Sequence, residues 1–149
     1  MEPLERVSYL TALLGAHSRN RFAALLCPLG ITPQHFAALR WISLNDGSTQ
    51  QEVADLMEVR RNLMVGLVDD LEAAGLVIRG RHPADRRAHA LHLTASGRRV
   101  LAEGDAAADA LDDEMLAPLD PCQRAAFHDA LRAMAAAAGL SPGVFPENR

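Results

Sequence analysis

The sequence predicts a mainly α-helical fold in the order α-α-α-α-β-β-α-α, with one β-hairpin as its extended part. Three observations carry that prediction. Apolar residues recur at spacings of three and four along most of the chain, whereas residues 76–93 alternate with a period of two. Capping residues stand in front of four of the periodic segments: Thr32, Thr49, Thr94 and Asp120. Finally, Ala supplies 27 of the 149 residues and Phe, Trp and Tyr together six, a balance that favours closely packed helices over an aromatic-rich sheet.

In chain order, the first helix is expected over about residues 4–26, with Val7, Leu10, Leu14 and Leu25 on one stripe, and Pro28 and Gly30 end it. Thr32 then serves as N-cap and Pro33 as first helical residue of a helix through His35, Phe36, Leu39 and Trp41 to about Leu44. After the turn Asn45-Asp46-Gly47 comes a capping box, Thr49 with Glu52, opening a short helix whose apolar face is Val53, Leu56 and Met57. A further helix over residues 60–74 buries Met64, Leu67, Val68 and Leu71, and Gly75 is placed to cap it.

Two short amphipathic helices joined by a break of about three residues have the outline of a helix-turn-helix. Strands over residues 76–82 and 88–93 follow at once, joined by a loop of Pro83, Ala84, Asp85, Arg86 and Arg87, with Leu91 and Leu93 on one face. The combination is a winged helix-turn-helix, expected over residues 31–99, with at most a short extra strand near Ser48. Thr94 caps a long helix to about Ala117 whose seam is Leu101, Gly104, Ala108, Leu111 and Met115. The last helix starts at Asp120-Pro121, carries Phe127, Leu131 and Met134 on one face and stops at Gly139; residues 140–149 are expected to form a flexible tail.

A 49% apolar, 23% charged composition excludes a disordered or collagen-like chain. Two cysteines exclude a disulfide scaffold, and the longest small or apolar run, residues 133–138, is far below the roughly 20 residues of a membrane span. No leader pattern opens the chain, so a cytoplasmic location and no membrane partner are expected. No nucleophile elbow, phosphate loop, dinucleotide glycine motif or zinc-protease pattern is present, so neither catalysis nor a cofactor is expected. The acidic run Glu103, Asp105, Asp109, Asp112, Asp113 and Glu114 reads as a solvated helix face.

The net charge of −4 is divided unevenly. Residues 60–99 hold eight Arg against four acids, and the remainder seven Arg against 15 acids. Binding to a polyanion depends on the charge at the contact face, so the basic segment is compatible with double-stranded DNA. On the 60–74 helix, Arg61, Asn62, Val65, Gly66 and Asp69 lie opposite the buried stripe, the face that a helix-turn-helix places in the major groove. With Arg60 at its start, this helix offers Arg for guanine, Asn for adenine and Val for a thymine methyl, and Gly66 permits close approach. Ser48, Thr49, Gln50 and Gln51 are placed to donate to phosphates. The hairpin contributes Arg79, Arg81, Asp85, Arg86 and Arg87, in which Arg suits a narrow minor groove and Asp85 can hold one of them extended. The competing reading of the hairpin is a plain surface turn whose ion pair is worth under about 1 kcal/mol.

The run ITPQHFAALRWI, the segment TQQEVADLMEVRRNLMVGLVDDLEAAGLV, the wing RHPADRRAHALHLT and the following ASGRRVL resemble the MarR family of bacterial winged-helix transcription regulators. The resemblance implies a ligand-responsive repressor that binds a pseudo-palindromic operator as a homodimer, with residues 1–30 and 100–139 as the helical dimerisation region and the wings clasping DNA. Asp85 and Arg87 match the family's wing pair. Gly66 and Asp70 depart from it, because many members carry Arg at those positions, and operator sequence therefore does not transfer. MarR-like proteins often bind small aromatic or phenolic acids between the dimerisation helices and the winged helix; His17 and Arg21, which continue the first helix's stripe, and Trp41 are the expected ligand residues. Some relatives sense peroxide through a thiol, but Cys27 ends a helix beside Pro28 and is expected to be a small buried hydrophobe. Cys27, His35 and His128 are too scattered for a zinc site, so no metal is expected. A winged helix used for protein association without specific DNA binding, or a thiol-based redox regulator, are the alternatives.

Overall fold

A computed structural model describes residues 5–84 and 87–140, and its elements follow the expected order. They are α1 (Val7–Leu26), α2 (Pro33–Leu44), α3 (Gln50–Leu56), α4 (Arg61–Ala73), β1 (Val77–Arg81), β2 (His89–Leu93), α5 (Ala95–Leu116) and α6 (Pro121–Ala137). The expected tail from residue 141 onward, and Asp85 and Arg86 of the wing, lie outside the described residues. Among the described residues no single helix is long and apolar enough to cross a membrane.

The caps that the sequence announces are made. Thr32, Thr49 and Asp120 each accept from the backbone amide three residues on, and that residue's side chain returns the bond, which satisfies two amides at each helix start. Thr94 accepts from the Gly97 amide at 2.9 Å and donates to the Gly75 carbonyl at 2.7 Å, tying the start of α5 to the end of α4. Gly97 is required there, since a Cβ at this position would stand 2.0 Å from the Leu76 carbonyl oxygen. Gly75, at φ 70°, supplies the left-handed residue that ends α4.

The core is shared by the end of α1, α2, α3, α4, the hairpin and α5. Met64, Leu67, Val68 and Leu71 of α4 share one buried cluster with Leu26 of α1, Leu39 and Ile42 of α2, Val53 of α3, Val77 and Leu91 of the hairpin, and Leu101 of α5. Gly104 lets α5 approach α2 until the Phe36 ring would be 2.5 Å from a Cβ. Strands β1 and β2 are antiparallel with Val77 opposite Leu93 and Arg79 opposite Leu91. The short extra strand is a single bridge, Thr49 with Ala90, flanked by hydrogen bonds from the Gly47 amide to the Leu91 carbonyl and from the Leu91 amide to the Ser48 carbonyl.

One expectation is corrected. Cys27 is exposed rather than buried, because the chain tightens after α1 into a 3-10 turn, Cys27–Leu29, and Leu26 takes the core position instead. The stripe of α1 forms as a stripe but lies open: Val7, Leu10 and Leu14 are 64%, 45% and 48% exposed. On α6, Phe127, Leu131 and Met134 are also exposed, and this helix buries none of its residues.

Candidate nucleic-acid interface

Helix α4 is held by a short, well-anchored turn. Met57 and Val59 are buried on either side of Glu58, which takes φ 52°, and the Val59 amide bonds back to the Ala54 carbonyl at 3.0 Å. A non-glycine residue in the left-handed region is uncommon, and here it reverses the chain between α3 and α4. With Met64, Leu67, Val68 and Leu71 buried, the opposite face of α4 is open, and Arg61, Asn62, Val65, Gly66 and Asp69 are all on it. Arg60 occupies the N-cap position without a side-chain cap, so the first amides of α4 and two guanidinium groups share one end of the helix. A Cβ at Gly66 would meet nothing within 4 Å, so no packing inside the chain demands glycine there.

The start of α3 is more occupied. The Thr49 amide donates to Glu52 Oε2 at 2.7 Å and the Thr49 hydroxyl at 3.0 Å, and these two bonds hold the Glu52 carboxyl below its usual range. Gln51 donates to Asp55, and Gln50 accepts from Arg79. Thr49, Gln50 and Gln51 thus have partners within the chain, and Ser48 is tied through its carbonyl to β2.

The wing residues divide into two groups. Arg79 lies on the same hairpin face as Val77 and Leu91, which is the face toward the body of the chain. Its guanidinium bonds Asp69 at 2.5 Å, Glu72 and Gln50, joining β1 to α4 and α3. Burial opposes its charge, but the bonds to Asp69 and Glu72 outweigh that effect and raise its pKa. Arg79 is therefore engaged as a strut, and it offsets the two acids nearest the open face of α4. Arg81 and Arg87 are exposed toward the wing tip. The expected Asp85 and Arg86 contacts lie outside the described residues.

A cleft of about 630 Å³ opens between α1, the start of α2 and α5. Phe22, Ala23, Ala108 and Leu111 form its apolar wall, and Ser18, Arg19, Asn20, Thr32, Gln34 and Asp112 its polar one. His17, Arg21 and Trp41 are not in these walls. Arg21 instead donates to both carboxylate oxygens of Glu114, at 3.0 and 2.7 Å, raising its own pKa and lowering that of Glu114. Trp41 packs half-buried against the core. The reason is rotational: one residue along a helix turns the side chain by about 100°, so the stripe through His17 and Arg21 and the cleft wall through Ser18 and Phe22 are different faces of α1. Sequence reasoning passed over Phe22, whose ring meets Phe36 edge-on at 5.3 Å, because nothing in the periodicity marks which partner each face meets.

A family model described as MarR family matches residues 29–88, from the end of α1 into the wing. A transcriptional repressor from Mycobacterium tuberculosis, Rv2887, is 33% identical over 121 residues, covering 81% of this chain and 87% of the relative. The chain belongs to the MarR family. Solved structures show the same fold. The solved structure of the repressor CouR bound to a 23-mer DNA duplex is 31% identical, with a TM-score of 0.76 over 88% of this chain and 93% of that one. Rv2887 has been solved with salicylic acid, at 30% identity and a TM-score of 0.70 over 90% of this chain and 99% of that one. A Thauera aromatica protein named for a transcriptional regulatory role at the hcr operon is 36% identical over 95 residues; the match spans 64% of this chain and 57% of that relative.

Proposed function

We propose that this MarR-family chain is a cytoplasmic, homodimeric transcriptional repressor that binds a pseudo-palindromic DNA operator and is released by a small aromatic or phenolic acid. The observation that carries the reading is α4: one face is buried, and the other presents Arg61, Asn62, Val65 and Gly66 unobstructed beside Arg60. Asn62 is placed to read adenine and Arg61 guanine, whereas Arg81, Arg86 and Arg87 supply the wing's contacts to backbone and minor groove. Homodimerisation through the terminal helices accounts for the open apolar faces of α1 and α6, which a lone chain leaves in water. The cleft has the volume and the mixed lining of a small-molecule site; Rv2887 with salicylic acid shows a relative that takes an aromatic acid, and CouR with p-coumaroyl-CoA one that takes the coenzyme A thioester of a phenolic acid. A regulator of this kind needs no catalytic group of its own.

The test is a fluorescence anisotropy titration against duplexes from the region upstream of the gene, with random duplex as competitor. Asn62→Ala should lose about 1–3 kcal/mol on the preferred duplex and little on random DNA. Arg87→Ala should weaken both and lower the salt slope by about one unit. No binding that survives competitor would favour the association module instead.

A further inference from the structure

The lip of the cleft and the reading helix are joined by one side chain. Thr32, Pro33 and Gln34 line the cleft, and the next residue, His35, turns the other way. The Thr32 amide donates to His35 Nδ1 at 3.2 Å, which fixes a lone pair on that nitrogen and the proton on Nε2. Nε2 then donates to Asp70 Oδ2 on α4, 3.3 Å away and 35 residues further along the chain. The His35 side chain is only 15% exposed, so this bond forms largely shielded from water on the histidine side.

Most capping boxes use Glu or Gln at the third helical position, where the side chain serves the cap alone. A histidine there does two things, since its second nitrogen remains available on the far side of the ring. We infer that His35 is a positioning residue that couples the cleft lip at the start of α2 to the reading helix through Asp70. The inference rests on the proposed function, because it specifies how a molecule in that cleft would reach DNA affinity. A ligand that displaces Thr32 or Gln34 moves the Nδ1 acceptor and with it the donor to Asp70, which lies two turns past the groove-facing Asn62 and one turn past Gly66. Coupling between two sites is reciprocal: if a lip ligand weakens DNA binding, DNA seated on α4 weakens binding of that ligand by the same factor, by holding the lip in its His35-bonded form.

Reciprocity lets DNA alone test the link. Amide hydrogen exchange is measured on the full chain with and without a duplex enriched on the protein from a random-sequence pool. In the native protein, DNA should slow exchange several-fold both in α4 and at residues 34–36, the first turn of α2. His35→Glu keeps a capping-box acceptor and sets a carboxylate against Asp70; Asp70→Ala removes the acceptor from an exposed position. Both variants should retain the slowing in α4 and lose it at residues 34–36. Slowing at residues 34–36 that persists in the variants, or its absence in the native protein, would overturn the inference while leaving DNA binding intact. If α4 itself shows no slowing, the regulator reading fails and this inference fails with it.

Discussion

Glu52 accepts from the amide and hydroxyl of Thr49, and these bonds keep its carboxyl below the ordinary value of 4.5. A group whose pKa is depressed on folding contributes stability that is complete above its unfolded pKa and is lost as pH falls through the folded value. Glu52→Gln keeps an acceptor for the cap but removes the titrating charge. The native protein should melt above Glu52→Gln at neutral pH, and the gap should close as the pH drops below about 4.5; a gap that does not change across that range in thermal melts would mean the charge contributes nothing. The capping box was legible in Thr49 and Glu52 because both partners lie within four residues. Arg79 was not legible in the same way. Its bonds to Asp69, Glu72 and Gln50 depend on hairpin register, which places Arg79 opposite Leu91, and register is a non-local property. For the same reason His35 reads from sequence as an ordinary helical residue, whereas its second nitrogen is committed to Asp70.

Among the elements, α4 and α5 follow their periodicity closely. The four residues expected to be buried on α4 are the four that are, and Leu101, Gly104 and Leu111 of the α5 seam are buried too. Periodicity identifies a face but not its partner. That distinction explains both α1, whose stripe is open while a different face walls the cleft, and α6, whose apolar residues meet no large surface among the described elements of the chain. Each fully covered Leu is worth about 1.5–3 kcal/mol, and in a two-fold interface every substitution counts twice. Leu131→Glu should therefore raise the dimer dissociation constant at least about tenfold in sedimentation equilibrium while the helical circular dichroism is retained. An unchanged association constant would place the interface away from α6.

At the scale of the molecule, charge and apolar surface are sorted to opposite duties. The net −4 is an average over a basic segment from Arg60 to Arg99 and acidic flanks, with six acids between Glu103 and Glu114 of α5 alone. A protein arranged in this way does not coat DNA through bulk charge; it docks through one face, and the acidic helix discourages DNA elsewhere. If two copies join through α1 and α6, their two α4 helices must present to one side of a duplex about one helical turn, or a multiple of it, apart. Hydroxyl-radical footprinting on the enriched duplex tests this directly. Two protected patches related by a pseudo-dyad, with centres 10–10.5 base pairs or a multiple apart, are expected; a single patch, or uniform protection independent of sequence, would contradict a dimer that reads DNA through α4.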